Sequence, residues 1–293
     1  TFEVFPVETG HFRLDGGAMF GVVPRVLWEK DHVPDEQNRI ELALRVLLLV
    51  DEPHRILIDT GIGKKWDARK TRMFGIDHGE IDLERSLRNL GVSPEDITDV
   101  ILTHLHFDHA GGATKVVDGR VVPTFPNARY FVQRAHWEHA LHPTEKDRAS
   151  FIRDDFLPLE AAGSLVLLDG TEGFPFAGAI DLIRSDGHTT ALQLPRISDG
   201  EMTLVYCADL IPTRSHVRIP WVMGFDLRPL ETIAEKKAIL SQAAQEKWML
   251  FLEHEPRPHA AIVAVTRDEK GGFAATPWRS FLLFSKEGGD NDR

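Results

Sequence analysis

The sequence predicts an α/β (α+β) architecture, with strands and helices interleaved along one domain over residues 1–293. Three observations predict it. Short apolar, β-branched runs recur from Phe2 to Thr266 and alternate with helical patterns, with no linker between them. At roughly 150 residues per domain, the length allows one large domain or two small ones. A composition of 42% apolar and 27% charged residues supports a buried core rather than disorder.

Taken in order, Phe2 to Val7 and Ile40 to Val50 read as strands. Between them Asp15-Gly16-Gly17-Ala18-Met19-Phe20-Gly21 is too glycine-rich for a regular element and reads as a hairpin turn, with a pocket loop as the alternative. Arg55 to Asp59 is a short strand closed by Thr60-Gly61-Ile62-Gly63. Ile81 to Leu90 carries apolar residues at 83, 87 and 90 and ends at Gly91, a helix with its C-terminal cap. Ser93-Pro94-Glu95-Asp96 starts another turn of helix, with a cap, a proline and acidic residues in first-turn positions. Thr98 to Thr103 is a buried strand. Gln133 to Leu141 and Pro229 to Lys247 read as helices. Leu165 to Leu168, Ile180 to Ile183, Thr203 to Cys207, Met249 to Glu253 and Ala261 to Thr266 read as strands.

Several function classes fall away. Lys plus Arg is 34 and Asp plus Glu is 45, a net charge of −11, which argues against nucleic acid as a partner. The single cysteine, Cys207, excludes an internal disulfide framework. No apolar run approaches the roughly 18 residues of a membrane span, and the longest, Leu42 to Val50, contains Arg45. The expected location is the cytoplasm, with a leader removed before Thr1 as the alternative.

The chemistry concentrates in one place. The strand ending at Thr103 runs into His104-Leu105-His106-Phe107-Asp108-His109 and then Ala110-Gly111-Gly112. Four ligand-type side chains in six residues exceed what a core needs. In an extended segment His104, His106 and Asp108 project to one side and His109 to the other, so one segment serves two adjacent metals. Imidazole and carboxylate suit zinc, and also iron or manganese. The glycines let the backbone turn and pack closely.

This motif resembles the His-x-His-x-Asp-His signature of the metallo-β-lactamase superfamily at every fixed position. Gly187-His188-Thr189, Tyr206-Cys207-Ala208-Asp209 and Leu252-Glu253-His254 follow in the family's order, and Ile58-Asp59-Thr60-Gly61 resembles its first motif. The resemblance implies a four-layered αββα sandwich of two mixed β-sheets flanked by helices, with the site at one edge. It implies two divalent ions, zinc before iron or manganese. His104, His106 and His188 would bind the first, Asp108, His109 and His254 the second, and Asp209 would bridge them. Asp59 would orient a ligating histidine; Thr189 would do the same or serve as a turn hydroxyl.

The implied function is a hydrolase cleaving an ester or lactone, with a metal-bridging hydroxide attacking the carbonyl and Asp108 carrying a proton to the leaving group. A phosphotriester, or a thioester as in glyoxalase II relatives, is the alternative electrophile on the same site. An iron redox protein and a nuclease are less favoured. Thr103 to Gly111, Val132-Gln133-Arg134 and the helix ending Ala140-Leu141-His142 resemble the acyl-homoserine lactone lactonases. Phe125-Pro126-Asn127-Ala128 and Lys236-Lys237 resemble the methyl parathion hydrolase branch. Two departures stand out. Pro212 occupies the position of the lactonase tyrosine, three residues after Asp209, and Tyr206 lies on the wrong side of it. Cys207 reads as a buried strand residue rather than the metal-binding cysteine of true metallo-β-lactamases. The partner is a small molecule, and the resemblance points to a homodimer. Met19, Phe20, Trp66, Phe74, Phe107 and Trp221 are candidates for an apolar pocket.

Of the other nine histidines, His136, His139 and His142 share one helix face, read as polar and partly exposed before a further metal site. His11, His32, His54, His78, His216 and His259 receive no role.

Overall fold

The computed structural model describes residues 2–256, 261–269 and 271–278. Its first sheet begins with β1 (Glu3–Asp15), β2 (Arg39–Val50), β3 (Arg55–Ile58) and β4 (Asp99–Ile101). A separate hairpin, β5 (Thr114–Val117) and β6 (Arg120–Pro123), intervenes before β7 (Arg129–Gln133) and β8 (Leu165–Leu168) complete the sheet. The first three strands pair antiparallel and the rest parallel, so the sheet is mixed. The second sheet holds β9 (Ile180–Ser185), β10 (Leu192–Ser198), β11 (Thr203–Tyr206), β12 (Met249–Phe251), β13 (Ile262–Arg267) and β14 (Phe273–Pro277). They run in spatial order from β14 back to β9, with only β11 and β12 parallel.

Side-chain alternation sets the layers. Leu47, Leu49, Ile56, Ile58, Ile101 and Phe131 pack in one core with Leu194, Val205 and Leu250 of the second sheet. Their neighbours Val46, Leu48, Leu57, Val100, Tyr130 and Val132 point the other way, onto Leu87, Trp137 and Phe156 of three covering helices (Leu83–Asn89, Arg134–Leu141, Arg153–Ala161). Helix Pro229–Glu246 covers the second sheet through Ile239, Leu240 and Ala243. The result is the αββα sandwich. Strands buried on both faces explain the apolar runs Val46 to Val50 in β2 and Ile56 to Ile58 in β3. Each fully buried aliphatic side chain there contributes about 1.5–3 kcal/mol.

One local reading changes. Asp15 to Gly21 is not a hairpin turn. β1 continues to Asp15, whose Oδ1 accepts from Ala18 N (2.8 Å) and caps a short helix, Gly16–Phe20. The cap, proline and acidic first turn read at Ser93 to Asp96 are present, with Ser93 N donating to Asp96 Oδ2 (2.8 Å), on a single tight 3-10 turn, Pro94–Asp96. Among the described residues no helix is long and apolar enough to cross a membrane.

Candidate metal centre

The carboxyl ends of two of the parallel pairs, β3 with β4 and β11 with β12, place their following residues at one edge of the sandwich. Asp59 follows β3, Thr103 and His104 follow β4, Asp209 follows β11, and His254 follows β12. Asp59 and Ala208 both take left-handed backbone conformations (φ 59° and 42°), a strain that persists where surrounding structure enforces it. A methyl group at Gly111 or Gly112 would overlap the carbonyl of Ile62 or Thr60, so glycine is needed where the motif packs against the loop after β3.

The extended reading of the motif fails after His106. Phe107–Ala110 is a helical turn, so strand alternation no longer applies to Asp108 and His109. His104 and His106 therefore join His188 and Asp209 in one buried group, while Asp108 and His109 join His254 and the same Asp209 in another.

Both groups have the spacing of a metal cage. Bonds of about 2.0–2.1 Å to a tetrahedral ion put neighbouring ligand atoms about 3.3 Å apart. In the first group His106 Nδ1 lies 3.1 Å from both His104 Nε2 and His188 Nε2. Asp209 Oδ2 lies 3.1 Å from His188 Nε2 and 3.8 Å from His104 Nε2. In the second, His254 Nε2 lies 3.4 Å from His109 Nε2, 3.6 Å from Asp108 Oδ2 and 3.3 Å from Asp209 Oδ1. Each oxygen of Asp209 thus faces one group. Asp209 Oδ1 is buried without a hydrogen-bond partner, as a carboxylate awaiting a cation would be.

Outer partners fix the tautomers. His109 Nδ1 lies 3.0 Å from Asp59 Oδ2 and 3.1 Å from Glu253 Oε2. His188 Nδ1 donates to Asp226 Oδ1 (2.9 Å), and His254 Nδ1 to Ala43 O (2.8 Å). His104 Nδ1 lies 3.0 Å from Thr103 Oγ1, which donates to Asp59 Oδ2 (2.8 Å). A proton held on Nδ1 leaves the Nε2 lone pair of all four facing the centre. Among the described residues, His106 is the one ligand histidine that turns Nδ1 inward, and its Nε2 has no partner there.

The electrostatics divide the histidines: burial dominates at His104 and His106, whereas at His109, His188 and His254 the neighbouring carboxylates overcome it and favour the proton. Burial, and then neighbouring imidazoles, push His104 and His106 well below the usual histidine range, as neutral ligands require. Against the cost of burial, His188 and His109 hold Asp209 well below the carboxylate range. Burial opposes the proton on His188 also, but Asp209 and Asp226 bring it up to about 9.

Other sequence candidates scatter. Phe107 and Phe74 line a cleft of about 290 Å3 over His106, Asp108, His188 and Asp209, together with Leu14, Ala149 and Phe225. Met19 and Phe20 do not line it; they are buried in a neighbouring apolar cluster, where Phe20 stacks between Trp28 and His216 and meets Trp221 edge-on. Trp66 packs behind Phe107. Thr189 Oγ1 is buried and bonds to no candidate ligand. Cys207 is buried, and burial pushes its thiol up, which leaves it unreactive. Tyr206 is buried with its OH donating to Glu253 Oε2 (2.7 Å), and Pro212 O accepts from His254 N (3.1 Å). Neither replaces a tyrosine in the cleft. His259 lies outside the described residues.

His136 is the largest correction. It is fully buried, not on a polar face. Its Nε2 accepts from Leu105 N (2.8 Å) and its Nδ1 donates to Thr190 O (2.7 Å), so it ties the loop of His104 and His106 to the loop of His188. His139 instead contacts Asp147 (2.6 Å), and His142 is exposed. Sequence reasoning also missed Thr103, Asp226 and Glu253. Glu253 had a signal, adjacency to His254; Asp226 had none.

The profile of the metallo-beta-lactamase superfamily matches residues 45–254. The chain belongs to that superfamily. Among its members, a protein named probable metallo-hydrolase from Mycobacterium tuberculosis is 26% identical over 208 residues, 63% of this chain and 63% of that protein. The match therefore spans less than two thirds of that relative's length. The N-acyl homoserine lactonase AiiA of Bacillus thuringiensis subsp. kurstaki is 26% identical over 74% of this chain and 82% of its own. A solved structure titled as a probable metal-dependent hydrolase from Staphylococcus aureus superposes with a TM-score of 0.84 at 27% identity, covering 95% of this chain and 98% of that one. AidC, described as a dizinc quorum-quenching lactonase in complex with a product, N-hexanoyl-L-homoserine, gives a TM-score of 0.76 at 25% identity, with 95% of each chain covered.

Proposed function

We propose that this chain is a dinuclear metal-dependent hydrolase of esters or lactones, with zinc as the metal. The observation that carries the reading is a pair of four-atom cages sharing the Asp209 carboxylate at the floor of a half-apolar cleft. His104, His106 and His188 would hold one ion, Asp108, His109 and His254 the other, and Asp209 both. When bound, such a pair activates water at neutral pH and polarises the electrophile.

The chain's own groups do the rest. Neutral imidazoles hold a dication without cancelling its charge. Asp59 and Glu253 orient His109, and Asp226 orients His188, through Nδ1. Asp108 lies in the cleft wall, where its carboxylate can accept the proton released by the attacking water and pass it to a departing alkoxide. Leu14, Phe74 and Phe107 give that alkoxide or its acyl partner an apolar wall and exclude water.

The test is proton release by zinc-loaded protein on a medium-chain acyl lactone, run beside an aryl phosphotriester. Chelator-sensitive release from the lactone is expected. Release from the phosphotriester alone would replace the carbonyl reading with the phosphotriesterase one, and release from neither would overturn both.

A further inference from the structure

The cleft is not wholly apolar. Besides Leu14, Phe74 and Phe107 it is lined by Lys146, Asp147 and Ser150, carried by the loop after helix Arg134–Leu141. That loop is tightly tied. Asp147 Oδ1 accepts from Thr144 N (2.8 Å) and Thr144 Oγ1 (2.6 Å), its Oδ2 meets His139 Nε2 (2.6 Å), and Ser150 N donates to Asp147 O (2.8 Å). Both oxygens of Asp147 are therefore engaged. Lys146 differs. Its Nζ donates to two backbone carbonyls, Phe225 O (3.1 Å) and Asp226 O, and no carboxylate neutralises it among the described residues. Two neutral acceptors fix the ammonium in place but leave its charge and its third N–H. Ser150 adds a hydroxyl lining the same cleft.

We infer that Lys146 and Ser150 form a carboxylate subsite, so that the preferred substrate is an ester or lactone bearing a second, anionic carboxylate apart from the scissile carbonyl. A pinned ammonium and a hydroxyl lining the same cleft offer donors to the oxygens of a carboxylate, and charge-assisted hydrogen bonds of this kind are about twice as strong as neutral ones. In a chain of net charge −11, an unneutralised cation at a cleft is where an anionic substrate gains attraction rather than repulsion. The inference rests on the hydrolase reading, because the cleft is shared with the two cages.

The test compares two methyl esters of equal acyl length on zinc-loaded protein, monomethyl glutarate and methyl pentanoate, with glutarate and pentanoate as binding probes by calorimetry. The expected result is about a tenfold higher kcat/KM for the anionic ester, carried by KM and shrinking with salt, and tighter binding of glutarate. Lys146→Met should abolish both preferences, Lys146→Arg should restore part of them, and Ser150→Ala should lower them. Equal treatment of the two esters and the two acids by the wild-type protein would overturn the subsite while leaving the hydrolase reading intact. Lys146-dependent glutarate binding without turnover of either ester, of the acyl lactone or of the phosphotriester would keep the subsite and overturn the hydrolase reading.

Discussion

His109 and His254 are braced by residues at strand ends, whereas in the other cage only His104 is so braced, and His106 and His188 depend on loops. His109 is held by Asp59, which follows β3, and by Glu253, which follows β12, both fully buried; His254 is held by a β2 carbonyl. His188 depends on Asp226, in the loop before helix Pro229–Glu246, and that loop is in turn held by Lys146. His106 has no outer partner, and the loops of the first cage are joined through His136. The difference teaches that two ions sharing Asp209 would be held with unequal rigidity. The loop-borne one should exchange more readily.

Substitutions can break or sharpen this contrast. Asp209→Ala removes the shared ligand and should cost both cages. Outer-partner losses cost about 10–100-fold in metal affinity or activity, so loss of this ligand should exceed about 100-fold in turnover, with fewer than two ions per chain by elemental analysis. Asp59→Ala should weaken both ions by about 10–100-fold, since Asp59 bonds His109 directly and His104 through Thr103; competition with a chromophoric chelator would report it. Asp226→Asn should weaken one ion only, by about tenfold in the same titration, and leave the other near its wild-type affinity. Equal weakening of both would erase the contrast.

The smallest effect concerns stability. Burial, opposed in part by the bond to Thr190 O, brings His136 down to about 4 from 6.5. Between those values the unfolded chain binds the proton and the folded chain does not. His136's contribution is thus complete above pH 6.5 and lost as pH falls toward 4, by about 3 kcal/mol in all. His136→Phe should lower stability at pH 7 by about 1–3 kcal/mol, because Leu105 N loses its acceptor, yet show a shallower decline on acidification in urea unfolding. An unchanged slope would mean that His136 is not the group being titrated.

Legibility followed locality. The histidines and aspartates at strand ends could be read because a strand's apolar run and the polar residue that stops it are adjacent in sequence. Asp226 could not be read: it meets His188 across 38 positions from an irregular loop. His136 was misread because a helix face says nothing about which loops will lie over it. Among fold elements, β7 was lost against the helix that follows it directly, β10 contains Pro195, and helix Arg153–Ala161 contains Pro158, each of which disguises the local pattern. The β5–β6 hairpin and β14 are short, and their patterns are not strong enough to stand out alone. The extended reading of the motif failed because a helical turn inside it changes the side-chain period.

The central claim is a pair of ions joined through Asp209. Manganese(II)-loaded protein, studied by electron paramagnetic resonance alongside elemental analysis, tests it most directly. Two ions per chain with an exchange-coupled spectrum, lost in Asp209→Ala, is the predicted result. One ion per chain, or two ions whose spectra are those of isolated manganese, would contradict it.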